Sequence, residues 1–231
     1  MDATDDIRAF ENPGGPIEGL FPPAPEVKGI IFDYGGTLDS RGDHWSHIIL
    51  DAYRSAGLDI GIEDFKKAYI HGERALAVKG AVIPTDNFLD VMRKKVSAEL
   101  SVAGVASDSA AAEHIARYCY DYARGCIAGV RPLLRELSGR LPLVLVSNFY
   151  GNINSVLEDF GIRDCFRAVI ESAAVGVRKP DPQIFRLGLE ALRLEAPEVL
   201  VVGDSIDKDI IPARTLGCRT YHIPGRQWPP V

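Results

Sequence analysis

The chain has 231 residues, 46% of them hydrophobic and 25% charged, enough apolar material for a core without disulfide or metal staples, which excludes a disordered chain. Its 26 Lys and Arg against 32 Asp and Glu leave a net charge of -6 with no basic block to neutralise a phosphate backbone, so no nucleic-acid partner is expected. No apolar run approaches the roughly 18 residues of a membrane helix, and the acidic start, Met1 to Arg8, lacks the pattern of a secretory leader, so no membrane partner is expected and the reading points to the cytoplasm.

Residues 11 to 25 carry Pro13, Gly14, Gly15, Pro16, Gly19, Pro22, Pro23 and Pro25, which break any regular element, and residues 1–26 read as an irregular extension. Lys28 to Asp33 then rises into a short apolar run that stops at a carboxylate followed by Gly35 and Gly36. That is the pattern of a buried strand ending in a loop suited to a site. Leu141 to Val146 repeats the design, stopping at Ser147 and Asn148, as does Val199 to Val202, stopping at Gly203, Asp204 and Ser205. Each is followed by a helical pattern: Ile153, Val156, Leu157 and Phe160 after the one, Ile206, Ile210, Ala213 and Leu216 after the other.

Between residues 42 and 129 the short apolar runs give way to helical periods. Trp45, Ile48, Ile49 and Ala52 form one face, stopped by Gly57. Phe65, Ala68 and Tyr69 form a second, Phe88, Met92 and Val96 a third, and Ile115, Tyr118, Cys119 and Tyr122 a fourth. A further helix is expected around Leu133, Leu134 and Leu137. The expected fold class is therefore α/β, a Rossmann-like parallel sheet built from 27–41 and 130–231 with an all-helical cap inserted over 42–129. In such sheets the ligand sits beyond the carboxyl ends of the strands, where Asp33, Ser147 and Asp204 all fall. Cys119, Cys126, Cys165 and Cys218 form no C-x-x-C pair and read as buried small side chains.

Four ordered motifs carry chemistry: Asp33-Tyr34-Gly35-Gly36-Thr37-Leu38-Asp39, Ser147 after a strand, Lys179 before Pro180-Asp181-Pro182, and Gly203-Asp204-Ser205 with Asp209. Any one alone reads as a turn or helix-cap residue, or as a surface lysine. Together, over residues 28 to about 223, they resemble the haloacid dehalogenase-like (HAD) hydrolase superfamily. The carboxylate of Asp33, exposed by a Gly-Gly turn, suits attack on phosphorus. Lys179 supplies one fixed cation for the nucleophile and the transferring phosphoryl group. A hydroxyl, Ser147 or Thr37, with the free amides after a strand can make a phosphate cradle; the resemblance assigns Ser147 to phosphate binding, and Thr37 and Asn148 are expected beside it. The resemblance implies Mg2+ held by Asp33, the Gly35 carbonyl and Asp204, with Asp209 behind them orienting Lys179 or a metal-bound water, and a small phosphorylated substrate.

One departure stands out. The phosphatase branch has a second Asp where this chain has Gly35, so the general acid and base of that branch is missing. Three readings stay open: a phosphatase for good leaving groups or with a substitute acid, a C-P hydrolase resembling phosphonoacetaldehyde hydrolase, and a weakly active protein that binds a phosphorylated ligand. Asp39, Asp43 and His44 are the candidate substitutes, and Lys66, Lys67 and Lys79 are the cap lysines that a C-P hydrolase would need. Trp45, Tyr69, Phe88, Tyr118, Tyr120 and Tyr122 are candidate specificity residues, although aromatic residues at helical spacing are more often core.

Overall fold

A computed structural model of the protein describes residues 16–20, 23–103 and 110–229. Most of the expected N-terminal extension, 1–15 and 21–22, lies outside them; Ile17–Leu20 form a short 3-10 turn.

Five strands form one parallel sheet: β1 (Gly29–Phe32), β2 (Leu143–Ser147), β3 (Ala168–Glu171), β4 (Val199–Gly203) and β5 (Arg219–His222), in the order β3-β2-β1-β4-β5. β1 is central, with Ile31 opposite Val144 on one side and Val201 on the other. Every residue of β1, β2 and β4 is buried, as a strand covered on both faces must be. These are the three strands expected from apolar runs. β3 and β5 were not legible that way because they are edge strands; β5 reads Arg-Thr-Tyr-His and exposes its first residue. The chain leaves β1 for β2 on one side and returns to β4 on the other, so a crevice opens at the carboxyl ends of β1 and β4.

Among the described residues, four helices are inserted between β1 and β2: α1 (Trp45–Ser55), α2 (Ile62–Leu76), α3 (Phe88–Ala103) and α4 (Ala110–Ser138). Their buried stripes are those of the expected periods, with Ile48, Ile49 and Ala52 on α1, Phe65, Ala68 and Tyr69 on α2 and Val91, Met92 and Val96 on α3. α1 ends at a turn in which Gly57 adopts φ +74°. One expectation is corrected. The helix around Leu133 is not separate from the one around Ile115: both belong to α4, 29 residues long and continuous through Pro132. Burial on one face, from Ile115 through Cys119, Ile127 and Leu134 to Leu137, outweighs the helix bond that Pro132 removes. α4 thus runs from the cap into the layer beside the sheet.

After β2 come α5 (Ile153–Asp159), α6 (Ser172–Val175), α7 (Gln183–Leu192) and α8 (Ile211–Thr215). All four cysteines are buried free thiols. Among the described residues, no helix is long and apolar enough to cross a membrane.

Candidate active site

The β1 ladder extends into Asp33, whose N–H donates to the Val202 carbonyl at 2.9 Å. The Asp33 side chain is left at the carboxyl end of the central strand. One carboxylate oxygen accepts from Lys179 Nζ at 2.6 Å and the other from Thr37 Oγ1 at 2.9 Å. Lys179 also donates to Asp209 Oδ1 at 2.6 Å, and all three groups are buried. Asn148 fixes the lysine backbone from both sides, accepting from Lys179 N at 2.9 Å and donating to Lys179 O at 3.1 Å. Downstream, Asp181 accepts from Gln183 N at 2.9 Å across Pro182, the residue that precedes α7.

Asp204 follows β4 and faces Asp33. Its Oδ1 lies 3.2 Å from Thr37 Oγ1, so the threonine hydroxyl sits between the two carboxylates. Asp209 lies on a π-helical turn, Ile206–Ile210, a distortion that often marks functional sites. There its Oδ2 accepts from Ser205 N at 3.1 Å. Gly36 is obligatory: its φ is +93°, and a Cβ there would collide with the Asp204 carboxylate. Gly35 has no such constraint, since a Cβ would meet nothing within 4 Å.

Ligand atoms of Asp33, Asp204 and Asp209 lie within 4.8 Å of one another. Three buried carboxylates therefore face one ammonium. Burial first, then the charges of Asp33 and Asp209, push Asp204 up to about 8. Asp209 goes the same way, to about 6, through burial and Asp33, opposed by Lys179. Burial pulls against the Lys179 ammonium, but Asp209 and Asp33 outweigh it and raise the lysine above its ordinary value. An oxygen-donor set with uncompensated negative charge fits a hard divalent cation.

The cluster forms the floor of a cavity of about 880 Å³ under the cap. Ser147, Asn148, Gly35 and Gly36 line it; Thr37 does not, because its hydroxyl is taken up among the carboxylates. Of the aromatic candidates, Trp45, Tyr69 and Phe88 line the cavity, whereas Tyr118 is exposed on α4. Lys66 and Lys67 pair with Glu63 and Asp64 along α2 and are not part of the wall. Sequence reasoning missed the charged groups that the cap does place there, Arg74 and the paired Glu73 and Lys95. Tyr150, beyond β2, donates to Glu73 at 3.0 Å and so joins core to cap.

The three candidate substitute acids diverge. Burial holds His44 down to about 4, and its Nδ1 caps α1 by accepting from Ser46 N at 3.2 Å. Asp43 is half-buried and held below the ordinary carboxylate range by Arg226, against its own burial. Asp39 is fully buried, and burial pushes it up to about 7 despite bonds from Gly36 N at 2.8 Å and Trp45 Nε1 at 2.9 Å.

The sequence model of the haloacid dehalogenase-like hydrolase family matches residues 27–217. A glyceraldehyde 3-phosphate phosphatase of Methanocaldococcus jannaschii is 27% identical over 210 residues, 85% of each chain. The Homo sapiens haloacid dehalogenase-like hydrolase domain-containing protein 3 is 36% identical over 135 residues, 54% of this chain and 52% of that protein. This chain thus spans about half the length of that relative, and 40% of its Bos taurus counterpart. The solved L-2-haloacid dehalogenase of Xanthobacter autotrophicus shares the fold, with a TM-score of 0.53 at 22% identity, covering 85% of this chain and 77% of that one.

Proposed function

We propose that this chain, which belongs to the haloacid dehalogenase-like hydrolase family, is a Mg2+-dependent phosphatase that acts on a small phosphorylated metabolite through an aspartyl-phosphate intermediate. The observation that carries the reading is the buried cluster in which Lys179 bonds Asp33 and Asp209 while Asp204 faces them. The phosphatase among the relatives points the same way.

In this reading an Asp33 carboxylate oxygen attacks phosphorus and the leaving oxygen departs with its electron pair; water then cleaves the acyl phosphate and restores Asp33. Lys179 holds the nucleophile and neutralises charge on the transferring phosphoryl group, while Ser147 and the amides beyond β2 cradle it. Asp33, Asp204 and the Gly35 carbonyl would hold Mg2+, which would supply further charge neutralisation at the phosphoryl oxygens. Asp209 stays behind this set because its oxygens are engaged by Lys179 and Ser205 N. Gly35 provides no proton, and among Asp39, Asp43 and His44 it is Asp39 whose proton affinity is matched to neutral pH.

The C-P hydrolase reading has less support, since Lys66, Lys67 and Lys79 do not line the cavity and Lys95, the cap lysine that does, is ion-paired with Glu73. A panel of phosphorylated metabolites assayed with Mg2+ tests the proposal. Hydrolysis that stops on chelation is expected; full hydrolysis of an activated ester in excess chelator would contradict the metal requirement.

A further inference from the structure

Residues 223–229 follow β5, beyond the family match that ends at 217, and fold back over the linker that enters the cap. Gly225 and Gly42 approach so closely that a Cβ on either would strike the other segment's backbone. Arg226 grips Asp43 with its backbone N–H at 2.9 Å and its guanidinium at 2.9 and 2.6 Å. The His44 N–H donates to the Arg226 carbonyl at 2.8 Å, and His47 Nε2 lies 2.9 Å from the Gln227 carbonyl. At the end of this strap, Trp228 stacks on Tyr69 of α2 with ring centroids 5.0 Å apart and planes at 29°, and meets His44 at 5.5 Å.

Gln227 and Trp228 line the same cavity as Asp33 and Lys179. Tyr69 has no ring face to offer a ligand, because Trp228 takes one and the Lys95 ammonium sits 4.1 Å from its centroid; it is 7% exposed. Trp228 is 36% exposed. It is therefore the ring in this stack that remains available, and the strap fixes it before any ligand arrives, so little ordering is needed on binding.

We propose that Trp228 is a substrate-contacting residue that stacks on a flat ring carried by the leaving group. The inference rests on the phosphatase reading and narrows its substrate class to phosphate esters bearing an aromatic ring. Two unrelated features converge on it: an indole face prefers a flat partner in offset stacking, and the absence of an acid at Gly35 favours oxygens that leave without a proton, as aryl oxygens do. The Gly35 argument joins the ring directly to the ester oxygen; a ring beyond a short spacer would rest on the stacking alone.

Calorimetric titration of the Mg2+-loaded protein with methylphosphonate, benzylphosphonate and 2-phenylethylphosphonate, in which a methylene replaces the ester oxygen, separates these cases. The wild type should bind one of the ring compounds roughly 3- to 10-fold more tightly than methylphosphonate, a ratio typical of one aromatic pair. Benzylphosphonate preferred places the ring on the ester; the phenylethyl compound preferred places it beyond a spacer. Trp228→Ala should bring the ratio close to one, and Trp228→Phe should restore most of it, which a merely structural tryptophan would not do. A ratio unchanged in Trp228→Ala, or no ring preference in the wild type, overturns the proposal. Failure of all three to bind, methylphosphonate included, overturns the phosphatase reading and this inference with it.

Discussion

The Lys179 ammonium lies 2.6 Å from Asp33 and 2.6 Å from Asp209, a single cation shared by two buried carboxylates from opposite ends of the motif set. Removing it leaves both carboxylates unpaired away from water, which costs about 3 kcal/mol or more of stability. Lys179→Met should therefore lower the thermal midpoint as well as abolish turnover. A variant as stable as the wild type would show that the pair carries no such strain.

Asp33→Asn keeps the shape and removes the attacking oxygen anion. Lys179 retains Asp209, so the protein should stay folded while turnover falls by about 10^4-fold or more. Wild-type rates in steady-state assays of the folded variant would exclude Asp33 as nucleophile.

Gly35→Asp fills open space, since a Cβ meets nothing within 4 Å and the backbone lies outside the left-handed region. If the acid is missing, the variant should raise turnover of alkyl phosphates by about 10-fold or more, part of the ~10^2 to 10^4 that a fully positioned general acid and base supplies. Unchanged or lower activity, combined with a loss in Asp39→Asn, would assign the proton to Asp39 instead.

The metal-free site has a pH signature. Asp204 and Asp39 titrate near 8 and 7 in the fold against an ordinary value of 3.8, so the native state holds protons that the unfolded chain has released. Stability of the metal-free protein should then fall as pH rises from about 6.5 to 8, the fully protonated advantage being lost through the folded values. His44, held neutral down to about 4, acts in the opposite direction only below its ordinary 6.5. Because cation binding expels the Asp204 proton, the Mg2+-induced rise in thermal midpoint should grow over the same window. Melting curves with and without Mg2+ check both signs, and a flat metal effect between about pH 6.5 and 8 would contradict the assignment of Asp204.

Asp33, Ser147 and Asp204 were legible because each ends a short apolar run, and a buried parallel strand delivers its last residue to the ligand edge whatever the cap does. Lys179 was legible from the Pro-Asp-Pro helix start beside it. The cap wall was not, because periodicity shows that a helix is amphipathic without showing which part of its buried stripe meets core and which meets cavity. Lys95 is 2% exposed and would be expected on a solvated face; its pairing with Glu73 across α2 and α3 has no local signature. Trp228 lies in an irregular segment with no pattern at all, and the place of the Thr37 hydroxyl between two carboxylates has no local signature, because only the fold brings them together.

The central claim is that Asp33 carries the phosphoryl group. With no side chain at Gly35 to activate water, the acyl phosphate should persist long enough to trap. Mixing the Mg2+-loaded protein with an aryl phosphate, quenching with borohydride and mapping peptides by mass spectrometry should reveal homoserine at position 33, absent without substrate. Turnover with no reduced residue at 33, or with the label at another carboxylate, would contradict the account.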